Sequence, residues 1–194
     1  MATLLLDSSN TSLSVGIESN GHLLGYTSYE AWQAQSEHMI PEIDSLLKKY
    51  SLTRKDITGV MTSIGPGSYT GVRISLTIAK VIALCLGVSI YPVSSLRVLK
   101  DNEKQSICLL NARSGRSYFG VYHGDKVLVE DTIKTNDEVL DYIKEHPGYS
   151  ICGNVSYLGF ENLESNICLQ MVSLLDVVKA YDNALSLKPV YLKD

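Results

Sequence analysis

Two stretches of the 194-residue chain carry residue types that could do chemistry. One is the glycine-rich turn Gly65-Pro66-Gly67-Ser68-Tyr69-Thr70-Gly71-Val72-Arg73, and the other is Asp7-Ser8-Ser9-Asn10. Backbone N–H groups at a glycine turn can cradle an anion, and a carboxylate at a strand end can orient a metal-bound phosphate. Each has an equally physical plain reading. Glycines let a helix and a strand approach closely, and a turn aspartate bonds its own backbone. The turn is not a Walker A motif, because its glycines are wrongly spaced and no Lys-Ser or Lys-Thr pair closes it. His38 and Glu42 stand i, i+4, the spacing of a two-ligand metal site. Without a second histidine they are expected to be a surface pair, so no metal ligands are assigned. His22, His123 and His146 have no Ser or Cys spaced to form a nucleophile and base, so no catalytic residue is assigned.

The elements that would position these residues follow from periodicity. A strand over 58–64 feeds the glycine turn, Gly67 is expected to take φ > 0 there, and Ser68 or Thr70 caps a helix over 70–86. Arg73 in the first helical turn opposes the helix dipole, which predicts an acidic or carbonyl partner. That helix is apolar almost all round and needs more cover than one sheet face gives, so a protein interface is expected on it. Gly87 ends it and a strand returns over 88–93. Upstream, alternation over 3–30 with a break at Asn20-Gly21 predicts an antiparallel meander, and spacings of three and four predict an amphipathic helix over 36–50. The polar connector 100–105 marks a boundary. Beyond it, strand, polar turn, strand, turn and strand repeat the opening pattern, followed by a helix after Thr135, a strand at 150–152, a strand over 167–172 and a helix over 174–184. Two similar lobes are predicted, 1–99 and a reduced second lobe, 100–194.

The formal net charge of −4 argues against a protein that grips nucleic acid through a general basic field. Cys85, Cys108, Cys152 and Cys168 are widely spaced in apolar surroundings, which predicts buried thiols in a reducing compartment. The longest apolar run contains Arg73 and Lys80 and is not expected to span a membrane, and no leader pattern opens the chain. A cytoplasmic location is expected.

With these landmarks in hand, the chain resembles the TsaB (YeaZ) family. The resemblance rests on Leu6-Asp7-Ser8-Ser9 with Leu13-Ser14-Val15, Glu37-His38 with Ile40-Pro41, the nine residues Gly65 to Arg73, Pro92-Val93-Ser94-Ser95-Leu96, Asn111-Ala112-Arg113 and Pro189-Val190-Tyr191-Leu192. It implies an α/β, two-lobed actin-like ATPase (ribonuclease-H-like) fold, with a mixed sheet and flanking helices in each lobe. It also implies a non-catalytic subunit in threonylcarbamoyl modification of tRNA. The subunit would pair with a TsaD-like transferase through its first lobe, with a TsaE-like ATPase joining, a homodimer when alone, and tRNA met only through the complex. Asn111 stands where the family usually has aspartate, and only His38 is present where the transferase carries a histidine pair. No cofactor is therefore expected beyond weak nucleotide binding at Asp7, Gly67 and Gly153. The partner surface is expected on Met39, Ile43, Leu47, Leu76 and Ile78. The rival class is an ATP-binding or ATP-hydrolysing enzyme acting alone, for which a second carboxylate beside Asp7 would be expected.

Overall fold

In the computed structural model, residues 1–163, 165–181 and 183–192 are described. The alternating opening forms β1 (Ala2–Asp7), β2 (Ser12–Ser19) and β3 (His22–Glu30). The last two meet at Asn20-Gly21, both in the left-handed region with φ of 54° and 78°, as a tight hairpin turn requires. There follow α1 (Gln35–Lys49), β4 (Ile57–Ser63), α2 (Tyr69–Leu86) and β5 (Ser89–Val93). The sheet order is β3-β2-β1-β4-β5, antiparallel through the meander and parallel from β1 to β4 to β5. α1 and α2 cover one face, where Leu4, Leu6, Val15, Val60, Met39, Leu76 and Ala79 share a core.

The second half repeats this wiring. β6 (Ser106–Arg113), β7 (Arg116–His123), β8 (Lys126–Thr135), α3 (Asn136–Glu145) and β9 (Ser150–Gly153) form a sheet ordered β8-β7-β6-β9, with the same two antiparallel pairings and one parallel pairing. Thr135 and Glu138 close a capping box at the start of α3, so the predicted helix start is the observed one.

The predicted lobe boundary needs correction. The run 167–172, expected as a strand with a helix over 174–184 behind it, is itself helical: α4 (Ile167–Leu174), capped by Asn166, whose side chain accepts from the Leu169 N–H. A short apolar run reads alike as a buried strand or a buried helix, and here the fold decides. Cys168, Met171 and Leu174, three residues apart, pack on Leu5, Met61 and Val93 of the open face of the first sheet and on Val98 in the turn beyond β5. The chain then stays with the first lobe. Tyr181 bridges to Ile90. The Val190 N–H donates to the Ile64 carbonyl at 2.7 Å, and Lys80 Nζ donates to the carbonyls of Leu185 and Leu187 at 2.9 and 3.0 Å. Residues 167–181 and 183–192 are thus part of the first lobe, not of a second lobe running over 100–194.

α2 is the one described helix long and apolar enough to cross a bilayer, yet its Val72, Leu76, Ala79 and Ala83 are buried within the protein. Its outer side leaves Val81 and Leu84 about half exposed, at 53% and 49%. The expected partner residues separate accordingly. Met39, Ile43 and Leu76 are buried in the first lobe's own core and offer nothing to a partner, because the strongest apolar stripe of each helix faces the sheet. Leu47 and Ile78 are half-buried, and the exposed large aliphatic side chains on these helices are Ile40, Val81 and Leu84.

Candidate functional site at the cleft between the lobes

The glycine turn is fastened to the turn that ends β1. The Ser68 N–H donates to the Ser9 carbonyl at 2.7 Å, and Ser8 Oγ donates to the Gly71 carbonyl at 2.8 Å. Ser68 caps α2, its hydroxyl accepting from the Gly71 N–H at 3.2 Å. A Cβ added to Gly67 would run into the Ser9 carbonyl oxygen, and one on Gly71 into that of Ser8. Close approach is therefore what fixes these glycines. The expected φ > 0 at Gly67 is observed, its value of 159° lying at the edge of the extended range. Two N–H groups that an anion would use, those of Ser68 and Gly71, are already spent inside the protein.

Between the two sheets lies a cleft of about 740 Å³, within the range of small-molecule sites. Its walls include Ser9, Asn10, Trp32, Gln33, Gln35, Gly67, Tyr69 and Gly71 from the first lobe, with Asn111, Arg113, Tyr118 and Asn154 from the second. None of the lining residues is a carboxylate, an imidazole or a thiol, and no cluster able to hold a metal exists among the described residues. Of the three expected contacts only Gly67 lines the cleft. Gly153 sits back against the Leu109 carbonyl oxygen, in a left-handed conformation with φ of 104°, and Asn154 takes its place on the wall. Asn111 is exposed and turns its Oδ1 to the Arg113 N–H at 2.8 Å. Trp32, Gln35, Tyr118 and Asn154 were not legible as site residues, because nothing in their local sequence marks them. Gln35 is buried, and its amide holds the Asn10 carbonyl at 3.0 Å.

Asp7 lies on the side of β1 that α4 covers and is 1% exposed, outside the cleft lining. Neither carboxylate oxygen has a hydrogen-bond partner of good geometry, and neither does the neighbouring Ser63 hydroxyl. Burial raises its pKa, while nearby Ser63 and Ser9 only partly offset the cost. A carboxyl whose folded pKa lies above its unfolded one stabilises fully below the unfolded value, and that stability is lost as pH rises through the folded pKa. Asp7→Asn is therefore expected to raise the melting temperature at pH 7 relative to the unsubstituted protein, with a difference that shrinks toward pH 4. Thermal unfolding across that range checks it. A variant less stable at every pH would show that the carboxylate is held by contacts stronger than these.

Among the described residues Arg73 does not find the acidic or carbonyl partner expected of it. Its Nε donates to the Tyr191 hydroxyl at 2.8 Å, and its guanidinium lies 4.0 Å from the Tyr69 ring centroid. The aromatic faces supply the negative potential that a first-turn cation lacks. His38 and Glu42 are a surface pair: Glu42 accepts from the Tyr29 hydroxyl at 3.0 Å, and His38 sits edge-on to the same ring.

The lobes meet at a partly buried polar junction. Ser94 Oγ donates to Asp131 Oδ2 at 2.6 Å, Tyr122 donates to the other oxygen of Asp131, and Arg97 Nη2 donates to the Asp125 carbonyl at 2.8 Å. Lys100, expected in a polar connector, is 2% exposed and donates to Asn102 and to Gln170 of α4.

A family model described as "TsaD: tRNA N6-adenosine threonylcarbamoyltransferase" matches residues 25–161. The chain is 32% identical over 145 residues to the tRNA threonylcarbamoyladenosine biosynthesis protein TsaB of Bacillus subtilis, an alignment covering 72% of this chain and 63% of that protein. It is 36% identical over 110 residues to the protein of the same name from Buchnera aphidicola subsp. Schizaphis graminum, covering 52% of each. The chain belongs to this family, in its TsaB (YeaZ) branch. The structure of YeaZ from Pseudomonas aeruginosa superposes with a TM-score of 0.80 over 98% of this chain and 99% of that one, at 17% identity, and so shows the shared two-lobed fold. The alignments span less than two thirds of the Bacillus and Buchnera TsaB proteins. In this TsaB-branch chain the nine-residue turn Gly65 to Arg73 is the clasp between α2 and the end of β1.

Proposed function

We propose that this chain is a non-catalytic subunit supporting a TsaD-like transferase in threonylcarbamoyl modification of tRNA. The observation that carries the reading is the cleft wall: polar amides, hydroxyls, aromatic rings and one arginine, with no carboxylate, imidazole or thiol to activate a nucleophile or ligate a metal. The one carboxylate at the expected place, Asp7, is buried behind β1 with its pKa pushed up. The partner surface is the outer side of α2 with the adjoining part of α1, where Val81, Leu84 and Ile40 are exposed beside half-buried Leu47 and Ile78. The same patch serves a homodimer when the transferase is scarce, because exposed apolar area of this kind associates with its like. A TsaE-like ATPase joins the assembly, and tRNA is met through it, in keeping with a net charge of −4. A cytoplasmic setting fits three buried free thiols.

Co-purification with the TsaD-like protein of the same cell tests the reading. A stable complex is expected, with transfer activity requiring that partner, while the chain alone neither hydrolyses ATP nor transfers the group. Metal-dependent turnover by the purified chain that vanishes in Asp7→Ala would replace the scaffold with an enzyme. The second reading, an ATP-binding protein acting alone, is favoured by one observation, the size of the cleft with Trp32, Tyr69 and Tyr118 on its walls. Calorimetric titration with ATP, with and without magnesium, separates the two.

A further inference from the structure

Cys108 on β6 and Cys152 on β9 are direct partners in the parallel register, between Ile107↔Ile151 and Leu109↔Gly153. Side chains of partnered residues on neighbouring parallel strands point to the same face. Adjacent strands run about 4.7–4.9 Å apart, inside the roughly 4.4–6.8 Å between Cα atoms that a disulfide spans. Both thiols are free and buried in the cluster of Leu96, Leu99 and Tyr122 under the lobe junction. Each acts on the other: the Cys108 thiol lowers the pKa of Cys152, while burial and then Cys152 raise that of Cys108. Cys152 keeps a 3% exposed edge and Cys108 has none.

We propose that Cys108 and Cys152 are a redox-active dithiol which hydrogen peroxide converts to an intramolecular disulfide linking β6 to β9. The surroundings favour Cys152 as the first nucleophile. The neighbouring Cys108 thiol, with Ser106 and the backbone at Asp101, holds its pKa below the usual thiol value against the opposing effect of burial. Burial and the Asp131 carboxylate raise that of Cys108, outweighing the nearby Lys100 ammonium. The Cys152 thiolate attacks one peroxide oxygen, the O–O bond breaks, and the departing hydroxide takes up the thiol's proton as water, leaving a sulfenic acid. The Cys108 sulfur then attacks the Cys152 sulfur. The S–S bond forms, the S–O bond breaks, and the hydroxyl leaves as a second water with the Cys108 proton. Two thiols and one peroxide give one disulfide and two waters. β9 runs directly into Asn154 and β6 into Asn111, so the link forms immediately behind the second lobe's wall of the cleft.

The test uses the full chain, reduced, treated with hydrogen peroxide under native conditions, then denatured and alkylated for mass analysis. Two of the four cysteines are expected to escape alkylation, with peptide mapping joining Cys108 to Cys152. Cys85→Ser is expected to leave this unchanged, since Cys85 is exposed on α2 and stands apart from the pair. In Cys108→Ala, dimedone is expected to trap a sulfenic acid at Cys152, whereas Cys152→Ala leaves Cys108 unmodified. Circular dichroism checks that both variants fold. Oxidation of Cys85 alone, with Cys108 and Cys152 still open to alkylation, overturns the proposal, as does a link that forms only after the chain is unfolded.

Discussion

Gly71→Val is expected to be the most damaging single substitution in the first lobe, costing about 3 kcal/mol or more, or abolishing soluble protein. Gly71 sits in the first turn of α2 with the Ser8 carbonyl oxygen where its Cβ would stand, and that carbonyl belongs to the backbone. Backbone cannot swing aside as a side chain can. Relief requires moving α2 away from the end of β1. That movement would break the Ser8 Oγ bond to the Gly71 carbonyl and the Ser68 N–H bond to Ser9, and would open the Leu76 and Ala79 contacts with the core. Gly67→Val meets the Ser9 carbonyl in the same way, and a loss of about 1 to 3 kcal/mol is expected there, because a loop yields more readily than a helix. Gly148→Ala is the control, with no atom within 4 Å of the added Cβ and no left-handed φ, and it should be close to neutral. Denaturant midpoints for the three variants decide the matter. Midpoints unchanged in Gly71→Val would mean that α2 is not clamped to the turn.

Val81→Asp and Leu84→Asp are expected to weaken binding to the TsaD-like partner by about a hundredfold or more while leaving the fold intact. Both side chains are about half exposed on the outer side of α2, so a charge there is solvated in the free chain and buried unpaired in a complex. Leu76→Asp is the contrast. At 3% exposure in the core it should unfold the lobe rather than act on binding. Affinity by titration calorimetry, with circular dichroism alongside, separates the two effects, and sedimentation shows whether the proposed self-association is lost in parallel. Unaltered affinity in folded Val81→Asp and Leu84→Asp would move the interface off α2.

Local residue patterns set the order and type of most elements. Asn20-Gly21 marked the hairpin because few other pairs accept two left-handed residues in succession, and the observed φ values are of that kind. Ser68 and Gly87 marked the ends of α2 through local capping chemistry, and Thr135 with Glu138 did so for α3. The repeat of strand, turn, strand, turn, strand was visible as pattern and is realised as two sheets with matching order. These signals act within a few residues, so they survive without knowledge of what the chain folds against. What depends on distant partners was decided only by the tertiary structure. α4 is helical and packs on Leu5 and Met61, more than a hundred residues upstream, so a run readable as a strand became the cover of the first sheet's second face. The apolar residues of α1 and α2 looked alike in sequence. The sheet beneath them buried Met39, Ile43 and Leu76, and the free side left Ile40, Val81 and Leu84 exposed. Asp7 looked poised for a ligand, and the crossing of α4 sealed it away from the cleft. Burial is a property of what lies across from a side chain, and no local pattern encodes it.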